Sequence, residues 1–172
     1  MMDVYDAITK RASVRRFTEE DVPDDTVKRL LAAACRAPTA GNIQPWRFFV
    51  VRDAKVREGL AEAAFGQAYV AGAPVVVVFC ADLDASASGY GARGESLYSI
   101  QDTAAAVENL LLGVVAEGLG ACWVGAFNEA KAAEVLGLPG RVRPLALVPI
   151  GHPAGEPHRT GRIPFEKLTK YL

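Results

Sequence analysis

The sequence has few of the residues on which metal centres and disulfide frameworks depend. It contains three cysteines, Cys35, Cys80 and Cys122, and two histidines, His152 and His158. The cysteines are far apart, show no C-x-x-C spacing and lie in apolar runs, so we expect buried thiols rather than disulfides or a zinc site. The histidines lie in a proline- and glycine-rich stretch without other ligand types nearby, so we expect no bound metal.

A strong charge of one sign is also missing. The 19 basic and 20 acidic side chains give a formal net charge of −1, so we expect neither nucleic acid nor a membrane surface as a partner. No apolar run approaches the ~20 residues that a membrane-spanning helix needs. The first ten residues include Asp3 and Asp6 and lack an apolar core segment, so we expect no signal peptide and a cytoplasmic location.

The composition is that of a globular protein, because 51% of the 172 residues are hydrophobic and 23% are charged. We expect one domain over residues 1–172. Periodicity predicts helices over 4–11, 22–38, 55–64, 99–119 and 128–139, and strands over 45–53, 73–82, 120–127 and 143–153. We expect Asp24 to cap the second helix and a polar, glycine-rich loop from Asp82 to Glu95. Strands that alternate with helices indicate an α/β or α+β fold.

The longest helical pattern, from Ser99 to Leu119, is apolar nearly all round. Such a helix must be buried. A domain this small has few other elements to pack around the helix, so a second subunit would bury the rest of its apolar surface. We therefore expect a homodimer.

The segment GYGARG, Gly89 to Gly94, satisfies the spacing G-x-G-x-x-G. A dinucleotide fingerprint leaves a strand directly, opens a helix and has an acidic residue about 20 positions further on. Here the glycines follow a polar stretch, and the acidic position falls inside the long helix near Glu108. We therefore interpret the segment as a mobile flap or a turn rather than an NAD site.

Positive charge is concentrated in KRASVRRF, residues 10–17, which holds four cations and one serine. One interpretation is a solvated helix end. The other is an anion site, because arginines two to four residues apart can converge on one phosphate with the fork geometry that lysine lacks.

Two further segments offer polar groups to a flat or neutral ligand. In APTAGNIQPW, Thr39, Asn42 and Gln44 supply one hydroxyl and two amides, which suit either a ligand or the loop's own backbone. In WVGAF, the amides of Gly125 and Ala126 lack bulky cover, so the segment is either open to a ligand or a tight turn. No Ser-His-Asp, Cys-His, paired-carboxylate or P-loop pattern accompanies them, which favours a cofactor that brings its own chemistry.

These motifs, in this order, resemble the nitroreductase family of FMN-dependent oxidoreductases. The matching stretches are RASVRRF, APTAGNIQPWRFFVV, QDTAAAVENLLLGVVAEGLGACWVGAF and LVPIGHP with RIPFE, from about Asp6 to Lys167. The resemblance implies an α+β fold with a central mixed or antiparallel sheet flanked by helices, and a long buried central helix at a dimer interface. It also implies FMN as cofactor, NADH or NADPH as donor, and ping-pong hydride transfer to a nitroaromatic, quinone or similar acceptor.

The resemblance further implies the site residues, with no catalytic side chain because the chemistry belongs to the flavin. Positions matching the phosphate and ribityl site are Arg11, Ser13 and Arg162. Arg15 matches a cation near the pyrimidine edge, and Gln67 is a further candidate there. The resemblance implies homodimers with shared FMN sites, in which a loop reaches the flavin from the partner subunit. The positions that match this loop are Pro38, Thr39, Ala40, Asn42 and Gln44. The backbone of Gly125 and Ala126 matches the segment that faces the flavin N5.

The sequence departs from the family pattern in two places. Thr160 stands where a second C-terminal cation is common, and Arg159 is the candidate replacement. The long insertion that covers the acceptor pocket is missing, so residues 82–98, with Tyr90, Arg93 and Tyr98, are the candidate acceptor contacts. A flavin carrier or sensor without turnover, and family reactions such as dehalogenation or flavin breakdown, remain open alternatives.

Overall fold

A computed structural model describes residues 2–172 and contains a four-stranded sheet. The strands are β1 (Trp46–Val51), β2 (Val75–Asp82), β3 (Gly120–Ala121) and β4 (Val142–Gly151), in the order β1-β2-β4-β3. Each neighbouring pair is antiparallel. This sheet, flanked by helices, confirms the predicted α+β fold and decides for an antiparallel sheet.

Within residues 2–172, seven α-helices flank the sheet. They are α1 (Val4–Lys10), α2 (Asp24–Ala34), α3 (Ala54–Ala63), α4 (Ala68–Gly72), α5 (Leu83–Arg93), α6 (Ser99–Ala116) and α7 (Glu129–Leu136). Single turns of 3-10 helix occur at Ala40–Asn42 and Phe165–Lys167, and a π-helical turn at Gly94–Tyr98 joins α5 to α6. None of the helices in this described part of the chain is long and apolar enough to cross a membrane.

Strand β2 is buried on both faces, as its continuous apolar run predicts. Val75, Val77 and Phe79 pack in one core with α2 and α6. Val76, Val78 and Cys80 pack in a second core with α3, α4 and α7. Burial raises the pKa of the Cys80 thiol to about 12, so this cysteine is a small hydrophobic residue at neutral pH.

The other two cysteines differ from each other. Cys122 is buried, as predicted, but Cys35 is exposed, so the prediction is wrong for Cys35. Cys35 follows the last residue of α2 and lies beside the buried stripe of Val27, Leu30, Ala34 and Ala37 rather than on it.

Three local predictions are wrong in their details. The expected loop at 82–95 is mostly helix α5, because Asp82 Oδ1 accepts from the N–H of Ala85 at 2.9 Å and caps the helix. The predicted strand at 120–127 shrinks to Gly120–Ala121 and one isolated bridge between Val124 and Leu147. Helix α2 has Pro23 at its N-cap position and no side-chain cap, because Asp24 is the first helical residue and its carboxylate accepts from Arg52 at 2.8 Å.

Helix α6 is buried on one side within the protomer. Ala106, Leu110 and Val114 lie in the core, whereas Ile100 is exposed. The protomer therefore covers only part of the helix that the sequence predicts to be buried all round.

Candidate functional site

The N-terminal cationic motif is held between two distant parts of the chain. The N–H of Val14 donates to Ala121 O at 2.9 Å, and Ser13 forms a parallel bridge with Ala121. On the other side, the N–H of Ala154 donates to Arg16 O at 2.9 Å. Residues 13–16 therefore lie between the end of β3 and the segment that follows β4, so both neighbours can contribute to one site.

A cavity of about 630 Å³ opens beside this motif. Its polar lining side chains come from the N-terminal motif and from the C-terminal tail: Thr9, Arg11, Ser13, Arg15, His158, Arg159, Thr160 and Arg162. None of the described residues that line it is acidic. Four guanidinium groups without a carboxylate make a donor set suited to a phosphate, and the volume is that of a small-molecule site.

The structure thus brings Arg11, Ser13, Arg15 and Arg162 together and adds Arg159 to them. Nη1 of Arg159 donates to the Thr9 carbonyl at 2.9 Å, which fixes the side chain beside the end of α1. Nε of Arg11 lies 3.9 Å from Oε1 of Glu108, a partly exposed and distant ion pair. Such a pair holds a cation only weakly, so Arg11 can turn to a bound anion.

A second group of contacts leads from Arg15 to the end of the central sheet. Cζ of Arg15 lies 5.8 Å from the ring centroid of Tyr69, and Oη of Tyr69 donates to Oε1 of Gln67. Nε2 of Gln67 donates to Ala126 O at 3.0 Å and to Ala64 O at 2.9 Å. These contacts join Arg15, Gln67 and Ala126, which the sequence predicts separately.

Sequence reasoning missed Tyr69. Desolvation on burial raises the pKa of the Tyr69 phenol, and the proximity of that phenol raises the pKa of Arg15. The one sequence signal for Tyr69 was its polar hydroxyl, two residues after Gln67. Helix α4 has five residues, which is too short for its periodicity to show which face of the helix lies toward Arg15.

The backbone at Gly125 and Ala126 is open. Both residues are exposed, and a Cβ built on Gly125 would find its nearest neighbour, Nε1 of Trp123, only at 3.9 Å. The turn that follows these two residues is joined to the end of α3, because the N–H of Asn128 donates to Ala63 O at 2.8 Å. A flat ligand therefore has room to approach these two residues.

In the loop at 38–44, polar groups hold the loop's own shape. Oγ1 of Thr39 accepts from the N–H of Gln44 at 3.1 Å, and Nε2 of Gln44 donates to Oδ1 of Asn42 at 3.1 Å. Asn42 and Gln44 both have φ of 54°, a left-handed conformation that costs free energy in non-glycine residues.

Asp102 anchors this loop to α6, and sequence reasoning missed it. Its Oδ1 accepts from the N–H of Ala40 at 3.0 Å. Burial raises the pKa of Asp102, and the hydrogen bond from Ala40 acts in the opposite direction. The lining of the cationic cavity in the same protomer does not include the predicted loop residues: Pro38, Thr39, Ala40, Asn42 and Gln44.

Residues 82–98 pack on this loop. A Cβ built on Gly41 would lie 2.7 Å from Oη of Tyr90, and one built on Gly89 would lie 2.4 Å from Cδ1 of Ile43. Cζ of Arg93 lies 5.2 Å from the ring centroid of Tyr98. The helical segment therefore packs on the loop, and none of its residues lines the cationic cavity of the same protomer. In the described part of the chain, no cluster of three or more His, Cys, Asp or Glu side chains could hold a metal ion.

The sequence and the fold are both similar to those of known proteins. The model of the nitroreductase family matches residues 8–70 and 65–152. A Thermus thermophilus protein named NADH dehydrogenase is 36% identical, over 98% of this chain and 95% of that protein. The oxygen-insensitive NADPH nitroreductase of Salmonella typhimurium is 30% identical, over 96% of this chain and 72% of that protein. The structure of the NADPH:FMN oxidoreductase from Vibrio harveyi complexed with NAD⁺ superposes with a TM-score of 0.89 at 27% identity, over 98% of this chain and 76% of that one.

Proposed function

The chain belongs to the nitroreductase family, and from this premise we propose that it is an FMN-dependent oxidoreductase that uses NADH or NADPH to reduce nitroaromatic, quinone or similar acceptors. The observation that carries the proposal is the cationic cavity beside the N-terminal motif. Relatives named as NAD(P)H oxidoreductases support the same class of activity. When bound, FMN supplies the hydride-accepting and hydride-donating centre for a ping-pong exchange between the nicotinamide and the acceptor.

The residues around the cavity fit FMN by their chemistry. Arg11, Arg159 and Arg162 would hold the phosphate as charge-assisted hydrogen-bond donors, and Ser13 would bind the phosphate or the ribityl chain. This assignment gives Arg159 the role of the cation that Thr160 does not supply.

The ring would lie toward the second group of contacts. Arg15 would stabilise the negative charge that reduction places on the pyrimidine edge, because a fixed cation is worth more in a site with little water. Gln67 is the further candidate at that edge. The backbone of Gly125 and Ala126 would face N5, where the missing side chain at Gly125 leaves room for a stacked nicotinamide or acceptor.

The proposal includes a homodimer with shared FMN sites. Exposed apolar side chains support it, because a monomer rarely leaves so many uncovered. They lie on α1, on the outer side of α6 and on the C-terminal tail: Val4, Tyr5, Ile8, Ile100, Ile163, Phe165, Leu168 and Tyr171. The loop at 38–44, which lies outside its own protomer's cavity, would reach the flavin of the partner.

Sedimentation velocity should give twice the protomer mass of 18.3 kDa, and a single 18.3 kDa species would contradict the shared site.

The test is the absorbance spectrum of the purified protein. We expect flavin absorbance that bleaches on anaerobic addition of NADH or NADPH and returns when an acceptor is added. Colourless protein that cannot take up added FMN would refute the proposal. Flavin that binds but does not bleach with either nicotinamide would instead indicate a carrier or sensor.

The acceptor is identified by a second step. Re-oxidation of the reduced protein by nitroaromatics, quinones and halogenated aromatics is compared with re-oxidation by oxygen alone. Product analysis separates nitroreduction from dehalogenation and from breakdown of the flavin itself.

A further inference from the structure

Tyr69 contacts two residues that the proposed function assigns to the flavin. Its hydroxyl donates to Oε1 of Gln67, and its ring lies beside the guanidinium of Arg15. A phenol has one proton to donate and lone pairs to accept with. The hydroxyl proton is used on Gln67, and the contact with Arg15 is made by the face of the ring.

The carboxamide of Gln67 is held in one orientation by these contacts. Its nitrogen donates to the carbonyls of Ala64 and Ala126, at 2.9 and 3.0 Å, and its oxygen accepts from Tyr69. A rotation of the amide by 180° would set oxygen against two carbonyl oxygens, which is unfavourable. The phenol therefore completes a set of partners that admits one orientation of Gln67.

The peptide that Gln67 holds lies between two other backbone restraints, the bridge at Val124 and the hydrogen bond from the N–H of Asn128 to Ala63 O. Ala126 is exposed and follows the isolated bridge at Val124, where the sheet ladder has already ended. A backbone segment outside a ladder opens more readily than one inside it. The hydrogen bond from Gln67 is therefore a main restraint on the carbonyl of Ala126.

We infer that Tyr69 is a positioning residue, which holds the Ala126 peptide through Gln67 and the cation of Arg15 through direct contact. The inference rests on the proposed function, because the two groups held are those assigned to the N5 side and the pyrimidine edge of FMN. Burial keeps the pKa of the phenol above its usual value, so Tyr69 is protonated and able to donate at neutral pH.

The variant Tyr69→Phe removes the hydroxyl and keeps the ring. Oε1 of Gln67 then loses its hydrogen-bond donor, whereas the contact of Arg15 with the ring is kept. We expect the equilibrium constant for two-electron reduction of bound FMN to fall about tenfold, which is a potential lower by about 30 mV. Thr18→Val is the control for loss of a hydroxyl, because Thr18 is exposed, its hydroxyl accepts from the N–H of Glu20 and it does not line the cavity.

Two measurements test the inference. The midpoint potential of bound FMN is measured by dye equilibration in the wild type, Tyr69→Phe and Thr18→Val. Exchange of the Gln67 side-chain amide protons is followed by NMR in protein without flavin, where we expect slow exchange in the wild type and in Thr18→Val and at least tenfold faster exchange in Tyr69→Phe.

The outcomes are distinguishable. A lower potential together with faster exchange in Tyr69→Phe supports the inference. If the wild type binds FMN and is reduced by a nicotinamide, but Tyr69→Phe keeps the wild-type potential, the inference fails while the proposed function stands. If the wild type does not bind FMN, the proposed function fails, and unchanged exchange at Gln67 would also overturn the positioning role.

Discussion

Replacement of Arg11 by alanine tests the cationic cavity directly. The Arg11 side chain is 22% exposed, so a hydrogen bond from it to a phosphate would be partly shielded from water. Hydrogen bonds to charged groups contribute about 1.5–3 kcal/mol. At 1.4 kcal/mol per factor of ten, we expect Arg11→Ala to weaken FMN binding about 10- to 150-fold.

The same change should alter the stability of the flavin-free protein very little. The nearest carboxylate, on Glu108, is 3.9 Å away and about half exposed, and exposed ion pairs of this kind contribute less than about 1 kcal/mol. The free energy of unfolding without FMN should therefore fall by less than about 1 kcal/mol. Loss of affinity without loss of stability is the signature of a ligand-binding cation.

The assay is titration of flavin-free protein with FMN, followed by quenching of flavin fluorescence, with urea unfolding measured in parallel. Arg36→Ala is the matched control, because Arg36 is an exposed arginine that does not line the cavity. Unchanged FMN affinity in Arg11→Ala with a marked loss of stability would refute the reasoning, because Arg11 would then be a structural residue of α1 and α6.

Three further predictions concern the scaffold of the site. Gly120→Ala would place a Cβ 2.6 Å from Cγ2 of Val14, so we expect urea unfolding to show a loss of about 1–3 kcal/mol together with weaker FMN binding. Leu110→Ala, in the fully buried part of α6, should cost about 3 kcal/mol in the same assay with no direct effect on the cavity. Arg143 lowers the pKa of Glu129, so the pair stabilises the fold above the unfolded pKa of about 4.5 and the contribution is lost as the pH falls through the lowered pKa. Unfolding measured across acidic pH should therefore be less pH-dependent in Arg143→Met, with a loss below about 1 kcal/mol at neutral pH because both side chains are partly exposed.

Each of these has a defined contrary result. Gly140→Ala serves as control for the glycine change, because a Cβ there meets nothing within 4 Å. If Gly120→Ala and Gly140→Ala behave alike, the close approach of Val14 does not matter. A Leu110→Ala protein as stable as the wild type would contradict the burial of α6, and an unaltered acid profile in Arg143→Met would contradict the contribution of the ion pair.

Local patterns in the sequence were enough for most of the fold. The long, nearly all-apolar helical pattern of α6 and the continuous apolar run of β2 each depend on residues close together in the chain, and both elements are present where predicted. The error at Leu83–Arg93 has a local cause of a different kind. The glycines at the end of the segment indicated a loop, whereas the cap from Asp82 and the glycine-free first turn support a helix that becomes irregular only at Tyr90 and Gly91.

Only part of the candidate site could be predicted from residues close together in the sequence. The spacing of Arg11, Ser13 and Arg15 is a property of eight consecutive residues, so the sequence by itself showed an anion site as one of two interpretations. Tyr69 and Asp102 could not be found in that way, because their roles follow from contacts with residues such as Ala40, 62 positions away from Asp102.

The sequence by itself determined most of the segments that become helix or strand, the buried apolar run of β2 and which short stretch carries the concentrated positive charge. Only the tertiary structure decided that this stretch meets the C-terminal tail, so that Arg159 and Arg162 join Arg11 in one cavity. The physical reason is that hydrogen bonds between residues more than a hundred positions apart, from Val14 to Ala121 and from Ala154 to Arg16, assemble the site, and no periodicity or spacing within a segment records them.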